Sequence, residues 1–391
     1  MSVLDEGHVG KRIAAARKAK RLRQADLARE AFLSLAMVKA IERGARTPSD
    51  TTLEAIAAAL GVDPTQLLSS FTGTERRVHA ALPDVSASIA AYDVPLGPPS
   101  RSLEELQRAV DEAVHWRLAA QYSLIAQHAP ALLRDTLAAF HTAPDQRVAA
   151  RLLVAAARSA DAVAYKFGAR DLSARLVELM RWAAPHAEDP LLSASVAYVR
   201  TEIFFTARAH EAGALALEAA VDAVPTFFSA NAVAARGALH MRAAVITGRD
   251  GNADAADTHL AEARRLAQLV REGTYLGTAF GPESVRVHEV SVAVSLGHDH
   301  IDRAFTIARQ WAPSTALPAE RRSGFWIELA RAQLWGNRFD DAFESLKVAR
   351  LIAPQHTRKH PWAKETSATL LRLKRADEES LHHFVDWIGA V

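Results

Sequence analysis

The chain has no cysteine in its 391 residues. Disulfides, thiolate metal sites, iron–sulfur clusters and cysteine nucleophiles are therefore excluded, and the composition fits a reducing compartment. Aromatic residues are scarce at 7%. No stretch approaches the roughly 18 uncharged apolar residues of a membrane span. The first residues, MSVLDEGHVGKR, lack the apolar core of a signal peptide. A cytoplasmic protein with no membrane partner is expected. Strand-type alternation of useful length is missing, as are a phosphate-binding P-loop and the G-x-G-x-x-G and G-x-S-x-G motifs. His298, Asp299, His300 and Asp302 have metal-ligand chemistry but fall between two helices, where polar loop residues belong. Neither metal, cofactor nor catalysis is expected.

What is present is a folded composition, 49% hydrophobic and 24% charged. The net charge of +2 hides a segregation: residues 8–49 carry eleven Lys or Arg against three acids, a local +8 that leaves −6 for the remainder. A basic head on a mildly acidic body calls for a polyanionic partner.

The head reads as five short helices. Ile13 and Leu22 bracket the first, residues 24–31 form the second, and Ser34 is a natural N-cap for a third in which Val38 and Ile41 share a face. After Pro48, a fourth places Leu53, Ile56, Ala57 and Leu60 on one stripe, with Thr51 and Glu54 at capping-box spacing. Asp63-Pro64 opens a fifth through Leu67 and Leu68. Residues 70–100 are rich in Pro, Gly and Ser, so domains are expected at 1–72 and 101–391 with a linker at 73–100. Beyond Ser102, whose S-x-x-E spacing to Glu105 is again a capping box, the pattern is helical and Ala-rich, broken at positions such as Pro130, Pro144, Gly168, Pro190 and Pro354. Helix hairpins follow.

Trp326, Leu329, Ala330, Ala342, Leu346, Ala349 and Pro354 fall at the spacings of a tetratricopeptide repeat, and Ala256, Leu260, Ala263, Ala304 and Ala308 echo its second helix. Equivalent alanines are 48 and 38 residues apart, longer than the regular repeat of about 34. The fold class is all-α: a five-helix head followed by an α-solenoid of degenerate repeats, with plain Ala-rich hairpins as the alternative over 101–250.

The stretch from Val9 to Leu68 resembles the Cro/C1-type (XRE) helix-turn-helix family, through Gly10-Lys-Arg-Ile, Gln24-Ala-Asp-Leu-Ala28, Ser34, Val38, Ile41-Glu-Arg-Gly44, Pro48-Ser49 and Leu60-Gly61-Val62. With the body, the order of domains resembles actinomycete regulators and the peptide-sensing regulators of Gram-positive bacteria. The resemblance implies duplex DNA as partner, with the third helix in the major groove. The DNA-binding residues it implies are Arg23, Gln24, Ser34, Leu35, Ala36, Met37, Lys39 and Arg43, while Arg17 pairs with Glu42. Three departures stand out: Arg21 and Phe32 occupy positions that are usually Gly, and Arg23 replaces a capping Ser or Thr. The groove-facing Leu35, Ala36, Met37 and Ala40 offer no bidentate hydrogen bond to a base, so thymine methyls, Gln24, Lys39 and DNA shape are left to discriminate.

The solenoid's inner surface is expected to carry Tyr165, Tyr198, Arg200, Phe204, Asn231, Arg286, His288 and Trp326, a mixture suited to a peptide or small-molecule effector. A homodimer is expected as well, because one head contacts too little DNA. A tetratricopeptide-type scaffold with a vestigial or sequence-blind head is the alternative.

Overall fold

The computed structural model describes residues 9–62, 67, 73–95, 97–226, 229–373 and 379–390. They form two compact units, residues 1–76 and 77–391.

The first unit contains α1 (Val9–Ala19), α2 (Gln24–Glu30), α3 (Leu35–Glu42) and α4 (Asp50–Leu60). Ile13, Leu27, Val38, Ile41, Ile56 and Leu60 are wholly buried in its core. Ser34 caps α3, its hydroxyl accepting from the Met37 amide at 3.1 Å. The cap of α4 is Ser49 rather than the expected Thr51, which lies inside the helix. Gly61 ends α4 in the left-handed region, φ 54°. The fifth helix expected from Asp63 falls outside the described residues apart from Leu67, which is buried against this core.

The second unit begins with a correction. Within the expected linker, α5 (Gly73–Ser88) is helical, and Val78, Val85 and Ile89 are buried in the body's main cluster with Leu82 against it. These four recur at helical spacing despite Pro83, and burial of that stripe outweighs one lost backbone bond. Pro130, read as a breaker, likewise lies inside a helix.

The body continues as α6 (Leu103–Leu118), α7 (Tyr122–Thr142), α8 (Gln146–Lys166), α9 (Arg170–Ala183), α10 (Pro190–Ala207), α11 (His210–Ala223), α12 (Ala230–Arg249) and α13 (Ala253–Ala267). After a β-hairpin come α14 (Pro282–Leu296), α15 (Ile301–Gln310), α16 (Ala319–Trp335), α17 (Phe339–Ile352), α18 (Pro354–Lys359), α19 (Pro361–Leu373) and α20 (Glu379–Ile388). Neighbouring helices pair as hairpins, α8 with α9, α10 with α11, α12 with α13, α14 with α15 and α16 with α17. First helices also pack on one another, α10 on α12, α12 on α14 and α14 on α16, so the body is an α-solenoid. Ala256, Ala263, Ala304, Ala330, Ala342 and Ala349 are wholly buried, which lets paired helices approach closely. The Ser102–Glu105 capping box at α6 is present, with the Ser102 amide donating to Glu105 at 2.8 Å.

The hairpin was not anticipated. β1 (Gly273–Tyr275) pairs antiparallel with β2 (Thr278–Phe280), Gly273 opposite Phe280. Both turn residues have positive φ, Leu276 at 49° and Gly277 at 73°, the geometry of a tight two-residue hairpin turn. Phe280 is wholly buried against α12 beside Gly237, where an added Cβ would lie 2.0 Å from the ring. Gly237→Ala gains about 1 kcal/mol of helix propensity. Overpacking a filled core costs about 1–3 kcal/mol, so the variant is expected to be less stable, read as a lower urea midpoint of tryptophan fluorescence.

Candidate DNA-recognition helix and a charged inner face

The third helix is held from behind and open in front. Val38 and Ile41 are buried, whereas Leu35, Ala36, Lys39 and Arg43 are exposed. Its last residue, Glu42, is the hub. Arg17 grips this carboxylate with two bonds, Nε to Oε1 at 2.6 Å and Nη2 to Oε2 at 2.9 Å, and donates through Nη1 to the Leu22 carbonyl at 2.7 Å. Gln24 Nε2 adds a third bond to Oε2 at 2.7 Å. Burial alone would raise the Glu42 pKa, but the bonds from Arg17 and Gln24 hold it below the usual carboxylate range. One carboxylate thereby joins α1, α2 and α3.

The departures from the family pattern are visible as geometry. Arg21 and Phe32 sit at φ 57° and 55°, a region that costs a non-glycine residue about 1–2 kcal/mol. Phe32 is 96% exposed at the turn before α3. Arg23 gives α2 no side-chain cap, since a guanidinium accepts no hydrogen bond, and Asp26 makes up part of the loss. Asp26 accepts the Arg23 amide at 2.9 Å and its Nε at 3.0 Å, supplying the reciprocal half of a capping box. Arg23, Ser34, Leu35, Ala36, Lys39 and Arg43 are exposed, and Gln24 and Met37 half-buried, so none of the eight residues implicated by the sequence is enclosed in the core.

Residues 13–67 match the family model described as Helix-turn-helix. The head is a helix-turn-helix domain. A relative described as "Immunity repressor protein" from Bacillus phage phi105 is 44% identical over 64 residues, 16% of this chain, and the match spans 44% of that protein's length. Among solved structures, Bacillus thuringiensis PlcR in complex with the peptide PapR7 and DNA aligns over 98% of this chain and 93% of its own at 12% identity, with a TM-score of 0.28. A PrgX mutant aligns over 97% and 99% at 9% identity and a TM-score of 0.24.

Beyond the helix-turn-helix head, the candidate effector residues separate into two groups. Tyr165, Tyr198 and His288 meet on the inner side of the first helices. Tyr198 is buried, its hydroxyl accepting from Arg321 Nη2 at 2.8 Å, with Arg242 stacked 4.4 Å above the ring. Burial would raise the pKa of this phenol, yet Arg242, Arg321 and Arg158 bring it down to about 8. His288 shares Arg321, Nη1 to Nε2 at 2.8 Å, and burial beside that guanidinium keeps the ring neutral. Tyr165 lies 5.8 Å from Lys166 Nζ.

The other candidates are elsewhere. Arg200 stacks on Phe204 at 5.0 Å, and Phe204 lies against Gly213 of α11. Asn231 is exposed at the start of α12, Arg286 stacks on Trp311 at 5.6 Å, and half-buried Trp326 packs between two clusters of the hairpin core. The inner face instead carries groups not singled out from the sequence: Arg117, Arg158, Asp161, Lys166, Glu202, Arg242, Arg249, Glu320, Arg321 and Glu328. Lys166 pairs with Glu320 at 2.7 Å, and Ser291 donates to Glu328, whose pKa burial raises to about 7. Arg158 and Arg117 donate to the hairpin-tip carbonyls of Leu276 and Gly277 at 2.8 and 2.9 Å. The visible signal was a polar stripe inside Ala-rich helices, Arg158, Asp161 and Tyr165 at i, i+3 and i+7. No three metal-ligating side chains converge among the described residues, and no described helix is long and apolar enough to cross a membrane.

Glu42 makes the head acid-sensitive. Because its folded pKa is depressed, its stabilisation is full above the ordinary Glu value of about 4.3 and fades as pH falls through the folded value. Glu42→Gln is expected to remove that pH dependence and to cost about 1.5–3 kcal/mol at neutral pH, read in the head's calorimetric transition; an unchanged acid profile would contradict the assignment.

Proposed function

We propose that this chain is a DNA-binding transcriptional regulator whose α3 enters the major groove and whose helical body dimerises and takes an effector. The observation that carries the reading is the outward face of α3. A capped, buttressed helix presents its N-terminal Leu35 and Ala36 forward with Lys39 and Arg43 one and two turns behind, on a head that matches the helix-turn-helix family. The name of the phage relative supports a repressor-type role for that head.

Lys39, Arg43 and Arg23 supply phosphate contacts, and the Ser34 hydroxyl stands at the helix start where a phosphate oxygen docks. Gln24 has one amide N–H engaged by Glu42, so its carbonyl oxygen is the better placed end for a partner. At base edges the apolar Leu35, Ala36 and Met37 recognise thymine methyls and leave guanine unread. A single head of this size gives weak binding, and two heads on half-sites about one helical turn apart supply the rest. The partly open inner face of the solenoid is the effector surface.

Affinity for duplex DNA is expected to fall steeply with salt. Each neutralised phosphate adds about 0.9 to the slope of log K against log[salt], so Lys39→Ala and Arg43→Ala should each flatten the slope by about that amount in fluorescence anisotropy. A chain with no salt-dependent affinity for any duplex would instead favour a protein-binding scaffold.

A further inference from the structure

Outside the inner face, several arginines of the body have acids of their own: Arg147 with Glu188, Arg181 with Glu178, Arg265 with Glu262, Arg338 with Asp341. Inside, Asp161, Glu202, Glu320 and Glu328 face a larger number of cations. Arg117 at the end of α6, Arg158 on α8, Arg242 and Arg249 on α12 and Arg321 on α16 have, among the described residues, no carboxylate within hydrogen-bond distance. The nearest approach is Arg242 to Glu202 at 3.8 Å. Two further cations nearby are already paired, Lys166 with Glu320 at 2.7 Å and Arg331 with Glu365 at 2.9 Å.

Glu202 approaches Arg242, and Glu328 attracts Arg242, Arg249 and Arg321 from beyond hydrogen-bond distance; the partners within hydrogen-bond or stacking distance are neutral. Arg117 and Arg158 bond to hairpin carbonyls and hydroxyls, and Arg321 to Tyr198 and His288. Arg249 lies between the rings of Phe205 at 4.1 Å and Trp362 at 5.5 Å. Arg242 stacks between Tyr198 at 4.4 Å and Phe205 at 5.8 Å. The Nε atoms of Arg117 and Arg242 are buried without any acceptor. Like charges gathered where water is sparse repel strongly, and buried cations are ordinarily matched by an anion. Water still reaches the place: Arg242 keeps 20% and Glu202 17% of their side chains exposed, and Arg249 is exposed at the end of its helix.

We propose that this inner face binds a small, multiply charged anion bearing phosphate or carboxylate groups, gripped by Arg242, Arg249 and Arg321, with Arg158 and Arg117 adding positive potential from the hairpin side. Planar guanidiniums already oriented by aromatic stacking are suited to bidentate contact with either oxyanion. The hairpin tip fixes Arg117 and Arg158 in advance, so binding orders little that is not already ordered. The assignment rests on the reading of the body as an effector module and not on the head's affinity for DNA.

The test is calorimetric titration of the full chain with pyrophosphate and, separately, citrate, each at an ionic strength matched with sodium chloride. At least one is expected to bind saturably with a Kd of about 1 mM or tighter, and which one binds distinguishes the phosphate from the carboxylate source. Arg242→Gln and Arg249→Gln should each weaken binding about tenfold or more, while Lys39→Ala on the basic head should leave it unchanged. Arg249, exposed at a helix end, keeps the test valid if the Arg242 variant fails to fold. Binding of neither anion, or binding lost in Lys39→Ala but retained in both inner variants, would overturn the proposal. Failure of DNA binding, measured separately by anisotropy, would instead remove the regulator reading and leave this result standing.

Discussion

The carboxylate of Glu42 is the point through which the head is tied together. It ends the third helix, receives two bonds from Arg17 of the first and one from Gln24 of the second, and is almost entirely buried with its arginine. A buried ion pair is costly to form and costlier to break, because removing one partner strands the other's charge. Its effect here is orientation. With Val38 and Ile41 fixed in the core and Glu42 clamped, α3 has one way to face outward, and that face is the accessible one.

The body uses charge in the opposite manner. Where the head pairs its buried guanidinium, the solenoid gathers several with no carboxylate in hydrogen-bond range and orients them with rings, carbonyls and hydroxyls. Alternation makes this possible: each hairpin buries alanine between its two helices, and first helices stack on first helices, so their remaining face lies on one continuous side. The few polar residues on each of α8, α10, α12, α14 and α16 are thereby collected into one patch. The β-hairpin belongs to this arrangement, since its tip carbonyls orient Arg117 and Arg158 and its Phe280 seals against α12.

Much of the head was legible because its determinants are local or carried by a compact motif. Ser34 as a cap, the buried pair Val38 and Ile41, the stripe from Leu53 to Leu60 and the Arg17–Glu42 pair all follow from spacing within a few turns or from family resemblance. In the body, the helical class and the tetratricopeptide-like hairpin at α16 and α17 were visible from small residues at fixed intervals. The failures have physical causes. Pro83 and its serine neighbours concealed a helix whose stripe, Val78, Leu82, Val85 and Ile89, is regular. The β-hairpin is two three-residue strands, too short for alternation to register. The inner cluster escaped because its members are distant in sequence and unremarkable singly; choosing aromatic and charged residues by type selected Arg200, Phe204, Arg286 and Trp326, which the packing sends to other faces.

The central claim is that α3 lies in the major groove with an apolar leading edge. Its most direct test is to select a tightly bound duplex from a random pool and replace each thymine in turn by uracil, removing only the C5 methyl. The account predicts that one or a few replacements weaken binding severalfold at adjacent positions of each half-site, with the salt dependence unchanged. Equal affinity for every uracil-substituted duplex, or a selected site held by guanine contacts, would contradict it.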